Sequence, residues 1–422
     1  MSASLAIAIV GYGTAGQALG IALGRAGHSI DIYEQAAQPG PVGAGFLLQP
    51  TGMAALWQLG LLEAAWGLGA RIERLYGENP AGRVVTDMRY ADLGAHYCGL
   101  GMQRGALFQL LHAAQPAGVR IHAGRRIEQV DSARGYLVDA GGRREGPFDL
   151  VVAADGAASA LRPLLGRTRL DRTYPWGALW CLLPLGDWPW PQELRQRYRL
   201  ARQMLGLLPV GTRPDDPQPR MSFFWSLHGD AFESWATQPL AAWHAELSAL
   251  WPAITPHLGG LCSHAVLARA RYRDVLLDPP WHRDRLVLLG DAAHAMSPQL
   301  GQGVNMALLD ALTLAETLGT PGTLAERLAA YARQRTEHIR AYRSFSRWLT
   351  PLFQSEADTL ARLRDLCFAP LSRLPGGRAQ SLAILTGTRS GWFGRWPLPE
   401  GYLGALAALT RARTPASAAP AA

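Results

Sequence analysis

The sequence predicts an α/β fold: a Rossmann-like, doubly wound domain with an inserted β-sheet and a helical C-terminal segment. Three observations carry the prediction. Residues 5–10 form an apolar run that leads into Gly11-Tyr-Gly13-Thr-Ala15-Gly16 and then into an apolar-periodic stretch reaching about Gly27. Residues 149–153, apolar after Asp149, form a second such run leading to Asp155-Gly156, and residues 286–289 a third, ending at Gly290-Asp291. Runs this short and β-branched suit parallel strands buried on both faces. Each stops at a glycine, the second and third with an acid beside it, at the carboxyl edge where open α/β sheets bind their ligands.

The first unit reads as strand, glycine turn, helix and a second strand over residues 29–33, closed by Glu34. Glycines at 11, 13 and 16 permit a tight turn and close backbone approach to a pyrophosphate at the helix N-terminus. Glu34, eighteen residues beyond Gly16, stands where an acid accepts from a ribose hydroxyl. An acid rather than an arginine here points to an adenosine with a free 2′-hydroxyl, which FAD and NAD both satisfy. Next come a second glycine-rich stretch, Gly43-Ala-Gly45-Phe-Leu-Leu-Gln-Pro50, and then Arg104 at the start of a helix whose Leu107, Leu110 and Leu111 have core spacing. A cation disfavours a helix start, so a bound anion would make sense of Arg104. After residues 286–289 and Pro298, Gly301 and Gly303 precede an apolar-periodic helix over 304–318 whose only charges are Asp310 and Glu316. Its free N–H groups and positive dipole end would face whatever lies over the glycines, and would stabilise a ring that becomes anionic on reduction.

Composition narrows the classes. The chain has 422 residues, 41 basic against 33 acidic, and every basic residue is arginine. No arginine block is interleaved with aromatics, so a solvated basic surface is expected rather than a nucleic-acid stripe. Cys98, Cys181, Cys262 and Cys367 are dispersed, which argues against structural zinc, any metal site and a disulfide scaffold, and fits a reducing cytoplasm. Residues 5–24 carry no charge but are broken by five glycines, and Met1–Ser4 has no basic residue. A signal peptide or membrane span is therefore not expected.

The pattern GD-A-A-H-x-x-x-P-x-x-G-Q-G-x-N, at Gly290, Asp291, His294, Pro298, Gly301, Gln302, Gly303 and Asn305, resembles the second FAD motif of the para-hydroxybenzoate hydroxylase-like (group A) flavoprotein monooxygenases. Gln103-Arg104-x-x-Leu107 and Asp155-Gly156-x-x-Ser159-x-x-Arg162 match that family's intervening segments in order. The resemblance spans about residues 5–350. It implies that Asp291 bonds the ribityl chain, that Gly303, Val304 and Asn305 lie under the isoalloxazine edge, that Gly45 runs alongside the flavin, that Arg104 reaches FAD, and that Asp155 and Gly156 serve FAD and an incoming NADH or NADPH. With Gly11, Gly13, Ala15, Gly16, Glu34, Gly290, Pro298 and Gly301, these make the expected cofactor-binding set. His294, a lone histidine in a turn, is expected to be a packed or capping residue, and no catalytic base is assigned. The chemistry implied is reduction of FAD, reaction with O2 to a C4a-hydroperoxyflavin, and oxygen transfer to a small molecule.

The resemblance divides the chain into an FAD-binding domain (1–70, 99–171 and 270–335), a substrate-binding β-sheet domain (71–98 and 172–269), a C-terminal helical region (336–410) and a disordered tail (411–422). The insert holds Trp176, Trp180, Trp188, Trp190, Phe223, Phe224 and Trp225, with strands expected at 204–210 and 221–227. Most of these aromatics are expected in ordinary core, yet a lined pocket would suit an apolar or aromatic substrate. A helix over 324–349 carries Arg333, Arg335, Arg340, Arg343 and Arg347, a basic face expected to be solvated or a subunit contact, as in a homodimer. A flavin halogenase would need a lysine and a GWxWxIP segment. Gly186-Asp-Trp188-Pro-Trp190-Pro departs from that segment, and the chain has no lysine. The readings left open are a flavoprotein oxidoreductase or dehydrogenase without oxygen insertion, and a nucleotide-binding regulatory protein.

Overall fold

The computed structural model describes residues 4–41, 43–374 and 376–412. Its first layer is a six-stranded sheet in the order His282–Arg283, Leu286–Leu288, Leu150–Ala153, Ala6–Val10, Ser29–Glu34, Arg120–Ala123. All neighbours are parallel except the edge pair His282–Arg283 with Leu286–Leu288. The three apolar runs picked out in the sequence are adjacent strands. Val10 lies opposite Ala153, and Ala153 opposite Leu288. In that register all three chains leave the sheet at one edge, which is why three acid-and-glycine turns, about 140 residues apart in sequence, become neighbours.

Helices Thr14–Arg25 and Gly303–Leu318 pack against each other over this sheet. Their buried faces, Ala18, Leu19 and Ile21 on one and Leu308, Ala311 and Leu314 on the other, belong to the same core as Ile7, Ile9, Val152 and Val287.

The insert is a seven-stranded sheet in the order Ala268–Leu277, Thr168–Pro184, Asp216–His228, Gln203–Arg213, Glu193–Arg199, Arg74–Glu78, Val84–Arg89. Strands Thr168–Pro184 and Ala268–Leu277 run straight across the borders expected at 171 and 270 and pair with each other. Side-chain alternation sorts the aromatics. Phe223 and Trp225, with Leu179, Cys181, Leu205 and Leu207, face a core closed by Trp235, Trp243 and Trp251, and Trp188 also packs there. Trp180 and Phe224 are cross-strand partners on the opposite face, the face that carries Ser222 and Leu208. That second face meets the nucleotide-binding layer. A Cβ on Gly45 would lie 2.5 Å from Val210 and 2.8 Å from Ser222.

The C-terminal region opens with helix Leu324–Phe353, started by a capping box in which Thr323 accepts from the Glu326 N–H (3.3 Å) and Glu326 accepts from the Thr323 N–H (2.8 Å). It is four residues longer than the expected 324–349. The arginine-bearing helix is not wholly solvated, contrary to expectation. Arg335 is fully buried and paired with Asp310. Arg411 and Ala412 close helix Tyr402–Ala412 rather than beginning a tail. The rest of the expected tail lies outside the described residues. No helix among the described residues is long and apolar enough to cross a membrane, and none of their His, Cys, Asp and Glu side chains group as metal ligands.

Candidate active site

The glycine turns are interlocked by contacts that only glycine allows. Gly11 has φ +106°, and a Cβ on it would sit 2.4 Å from the Ala154 carbonyl oxygen and 3.0 Å from the Asp155 Cα. A Cβ on Gly16 would lie 2.0 Å from the Gly11 carbonyl oxygen. The first turn is thus pressed against both its own helix and the Asp155-Gly156 turn. Gly290 completes the cluster, its Cβ position 3.7 Å from Ala15 and Ala307. Glu34 reaches back to the first turn. One carboxylate oxygen accepts from the Tyr12 N–H and the other from the Ala36 N–H, both at 2.8 Å.

Arg162 ties the second turn to the third. Buried to 1 % exposure, its guanidinium donates to the Ala292 carbonyl (2.7 Å), the Ala157 carbonyl (2.7 Å) and the Asp171 carboxylate (2.5 Å). It was visible in the sequence only as the last letter of a motif.

Arg104 comes in from the opposite wall. It begins helix Arg104–Ala113, lies across Gly43, where a Cβ would be 2.2 Å from its Cδ, and stands 5.7 Å from the centre of the Phe46 ring. Its side chain keeps solvent-accessible surface although protein surrounds it, which marks the floor of a cleft. Burial lowers its pKa, offset in part by Asp291 and by Tyr272 of strand Ala268–Leu277. Four segments therefore converge on one groove, with Glu34, Asp155, Asp291 and Arg104 around it. Tyr272 was not singled out in the sequence, where a tyrosine in an arginine-rich strand carries no signal.

This groove fits FAD on four counts. Helices Thr14–Arg25 and Gly303–Leu318 both lack a side-chain cap, leaving N–H groups for an anion or an electron-rich ring. Among the described residues the Arg104 guanidinium makes no hydrogen bond or ion pair. Asp155 accepts from the Ala160 N–H at 3.1 Å through one oxygen, while its other oxygen is buried without a partner; burial raises its pKa. At Gly13, Gly156, Gly301 and Gly303 a Cβ would meet nothing within 4 Å, so the fold itself leaves that space open. Gly156 and Gly301 have φ of +79° and +62°, where glycine is favoured for the backbone alone.

Four of the expected positions also make contacts of their own within the protein. Gly45 is required by Val210 and Ser222, as described. Asn305 is fully buried; its amide oxygen accepts from the Gln49 N–H at 2.9 Å and its amide nitrogen donates to the Gly301 carbonyl at 3.2 Å. Its side chain splints the loop, and only its backbone is left for a ring. Pro298 starts the one-turn Pro298–Leu300 segment that Gly301 ends, while Val304 is nearly buried in the first turn of its helix. His294 is buried against Asp310 at 2.6 Å, a packed residue as expected.

A family profile described as an FAD binding domain matches residues 4–346. The aurachin C monooxygenase/isomerase of Stigmatella aurantiaca is 30% identical over 356 residues, covering 80% of this chain and 86% of that protein. The chain belongs to the group A FAD-dependent flavoprotein monooxygenases. Kynurenine 3-monooxygenase of Xanthomonas campestris pv. campestris is 29% identical over 369 residues, 79% of this chain and 76% of the relative. Among solved structures, PqsL of Pseudomonas aeruginosa superposes with a TM-score of 0.74 at 24% identity, covering 86% of this chain and 99% of that one. HpxO of Klebsiella pneumoniae, complexed with FAD, superposes with a TM-score of 0.76 at 22% identity, covering 92% and 100%. The monooxygenase is thus an FAD enzyme with the α/β fold of its family.

Proposed function

We propose that this monooxygenase uses NADH or NADPH and O2 to oxygenate an apolar or aromatic small molecule, and that the sixteen residues of the cofactor-binding set grip its FAD. The carrying observation is the groove where three acid-and-glycine turns meet an unpartnered Arg104. The division into an FAD-binding layer, a substrate-binding sheet and a C-terminal helical region belongs to the same proposal, with the sheet borders moved to include strands Thr168–Pro184 and Ala268–Leu277 whole.

When bound, FAD supplies the two-electron exchange with the nicotinamide and the activation of O2. The chain's own groups then have three tasks. The uncapped start of helix Gly303–Leu318 directs N–H groups and its dipole at developing negative charge. Arg104, without a hydrogen bond or ion pair among the described residues, holds an anionic part of the cofactor. The near face of the seven-stranded sheet, with Trp180, Phe224 and Tyr272, bounds the reaction space and keeps water out. Burial pushes the Tyr272 phenol up to about 12, so it stays protonated at neutral pH and does not act as a base. The names of the relatives support the substrate class: kynurenine for one, and a 2-heptyl-3-hydroxy-4(1H)-quinolone product for a Rhodococcus erythropolis protein 28% identical over 355 residues.

The test is stopped-flow reduction of the FAD-loaded enzyme by each nicotinamide across phenols and quinolones, with O2 uptake and product mass followed together. Substrate-stimulated NAD(P)H oxidation with one oxygen atom added to product supports the reading. Turnover without oxygen insertion would favour the reductase alternative.

A further inference from the structure

Asp310, in helix Gly303–Leu318, is fully buried and carries three hydrogen bonds on one carboxylate. Oδ2 accepts from the Gly290 N–H at 2.8 Å and from His294 Nε2 at 2.6 Å, and Oδ1 accepts from Arg335 Nε at 2.6 Å. Gly290 and His294 bracket the short helix Asp291–His294. One side chain on a neighbouring helix therefore clasps both ends of the turn that presents Asp291. Gly290 sits at φ 55°, ψ −138°, a conformation that side chains disfavour and that persists only when surroundings hold it.

The clasp is itself anchored. Arg335, fully buried, donates to His338 Nδ1 at 2.7 Å, so His338 holds its proton on Nε2 and donates to the Gly387 carbonyl at 2.8 Å. The Arg335 guanidinium lies 4.8 Å from the Trp396 ring centre, and His338 stacks on the same ring. Gly387 and Trp396 lie beyond the residues the family profile matches. A buried ion pair is a poor way to gain stability, since apolar residues of like volume often do as well or better. What it supplies is a fixed direction, and both Gly290 and His294 use it.

We propose that Asp310 is a positioning residue: it sets the geometry of the 290–294 turn, hence the reach of Asp291, with Arg335 and His338 coupling that turn to the C-terminal segment. The proposal rests on the reading that FAD lies at this turn.

The test uses the full chain carrying Asp310→Asn, which keeps size and loses charge. Hydrogen exchange is followed in FAD-stripped protein, and FAD affinity and the midpoint potential of bound flavin are measured by titration. Faster exchange confined to residues 290–294, a dissociation constant raised about tenfold or more and a shifted potential are expected. Unchanged turn exchange and affinity, or a uniform loss of protection across the central sheet, overturns the proposal. If Asp310→Asn does not fold, Asp310→Leu combined with Arg335→Leu removes the pair as a unit and is judged by the same outcomes. Should the wild-type chain fail to bind FAD, the flavin reading falls, and exchange at the turn alone decides whether Asp310 positions it.

Discussion

Arg162 Nε donates to the Ala292 carbonyl at 2.7 Å, joining two turns that lie 130 residues apart. The same guanidinium donates to the Ala157 carbonyl at 2.7 Å, so one side chain satisfies a backbone acceptor in each turn. Arg162→Met keeps the volume and strips the donors, leaving the carbonyls of buried Ala292 and half-buried Ala157 without that partner. It is expected to cost about 2–4 kcal/mol by urea unfolding at constant m-value. A loss under about 0.5 kcal/mol would show that the contacts are incidental.

Arg104 makes a prediction of opposite sign in the two states of the protein. Without FAD it is a cation with no hydrogen-bonded or ion-pair partner among the described residues, so Arg104→Gln should leave the stripped protein equally or more stable. With FAD it has its anion, so the same change should weaken FAD binding about tenfold or more. Melting temperatures of the stripped and loaded variant, set beside wild type, measure both arms.

Asp291→Ala is expected to release FAD during purification. Asp291 is exposed to the groove and holds no structural hydrogen bond of its own side chain among those described, so the fold should survive. A variant that retains its full flavin absorbance would remove Asp291 from the cofactor set.

Two glycines of the first turn should separate folding from binding. Gly11→Ala drives a methyl into the Ala154 carbonyl at 2.4 Å from a backbone at φ +106°, and is expected to abolish or severely reduce soluble expression. Gly13→Ala meets nothing within 4 Å, so the thermal melt of the stripped protein should stay put while FAD affinity falls. Equal FAD affinity for Gly13→Ala and wild type would mean the cofactor does not approach this turn.

The pair His338 and Asp310 predicts acid lability. Burial, then the Arg335 charge, lowers the His338 pKa to about 3. A base depressed in the fold contributes stability that is whole above its unfolded pKa of about 6.5 and is lost as pH falls from there toward the folded value. Burial alone would raise the Asp310 pKa, but the charges and hydrogen bonds of His294 and Arg335 outweigh it and hold the carboxyl well below the usual range. Its contribution is whole above about pH 4 and fades only below that. Of this pair only the histidine acts between about pH 6 and 4, contributing a slope of up to about 1.4 kcal/mol per pH unit, beside smaller contributions of the same sign from His28 and His282, whose pKa values burial also lowers. His338→Gln retains an acceptor for Arg335 and a donor for Gly387, and should flatten that slope in a pH series of urea melts. An unchanged slope would place the acid-sensitive group elsewhere.

By itself the sequence determined the three strand-and-turn units, the helices that follow them and the family, because each is local. A buried strand needs a short apolar run, a turn needs glycine at a positive φ, and a helix start needs free N–H groups, all within a dozen residues. Tertiary structure alone decided what those units do to one another. Arg335 read as one arginine among five on a face solvated or in subunit contact, and it is buried because Asp310, 25 residues earlier, needs a cation. Asn305 read as a ring contact, and its side chain is taken by Gln49 and Gly301. Phe223 and Phe224 are indistinguishable as letters, and strand alternation sends one to the far core and the other to the near face. Partners that meet only when two sheets and two helices close together leave no period or spacing in the chain, so their roles emerge only from the packed molecule.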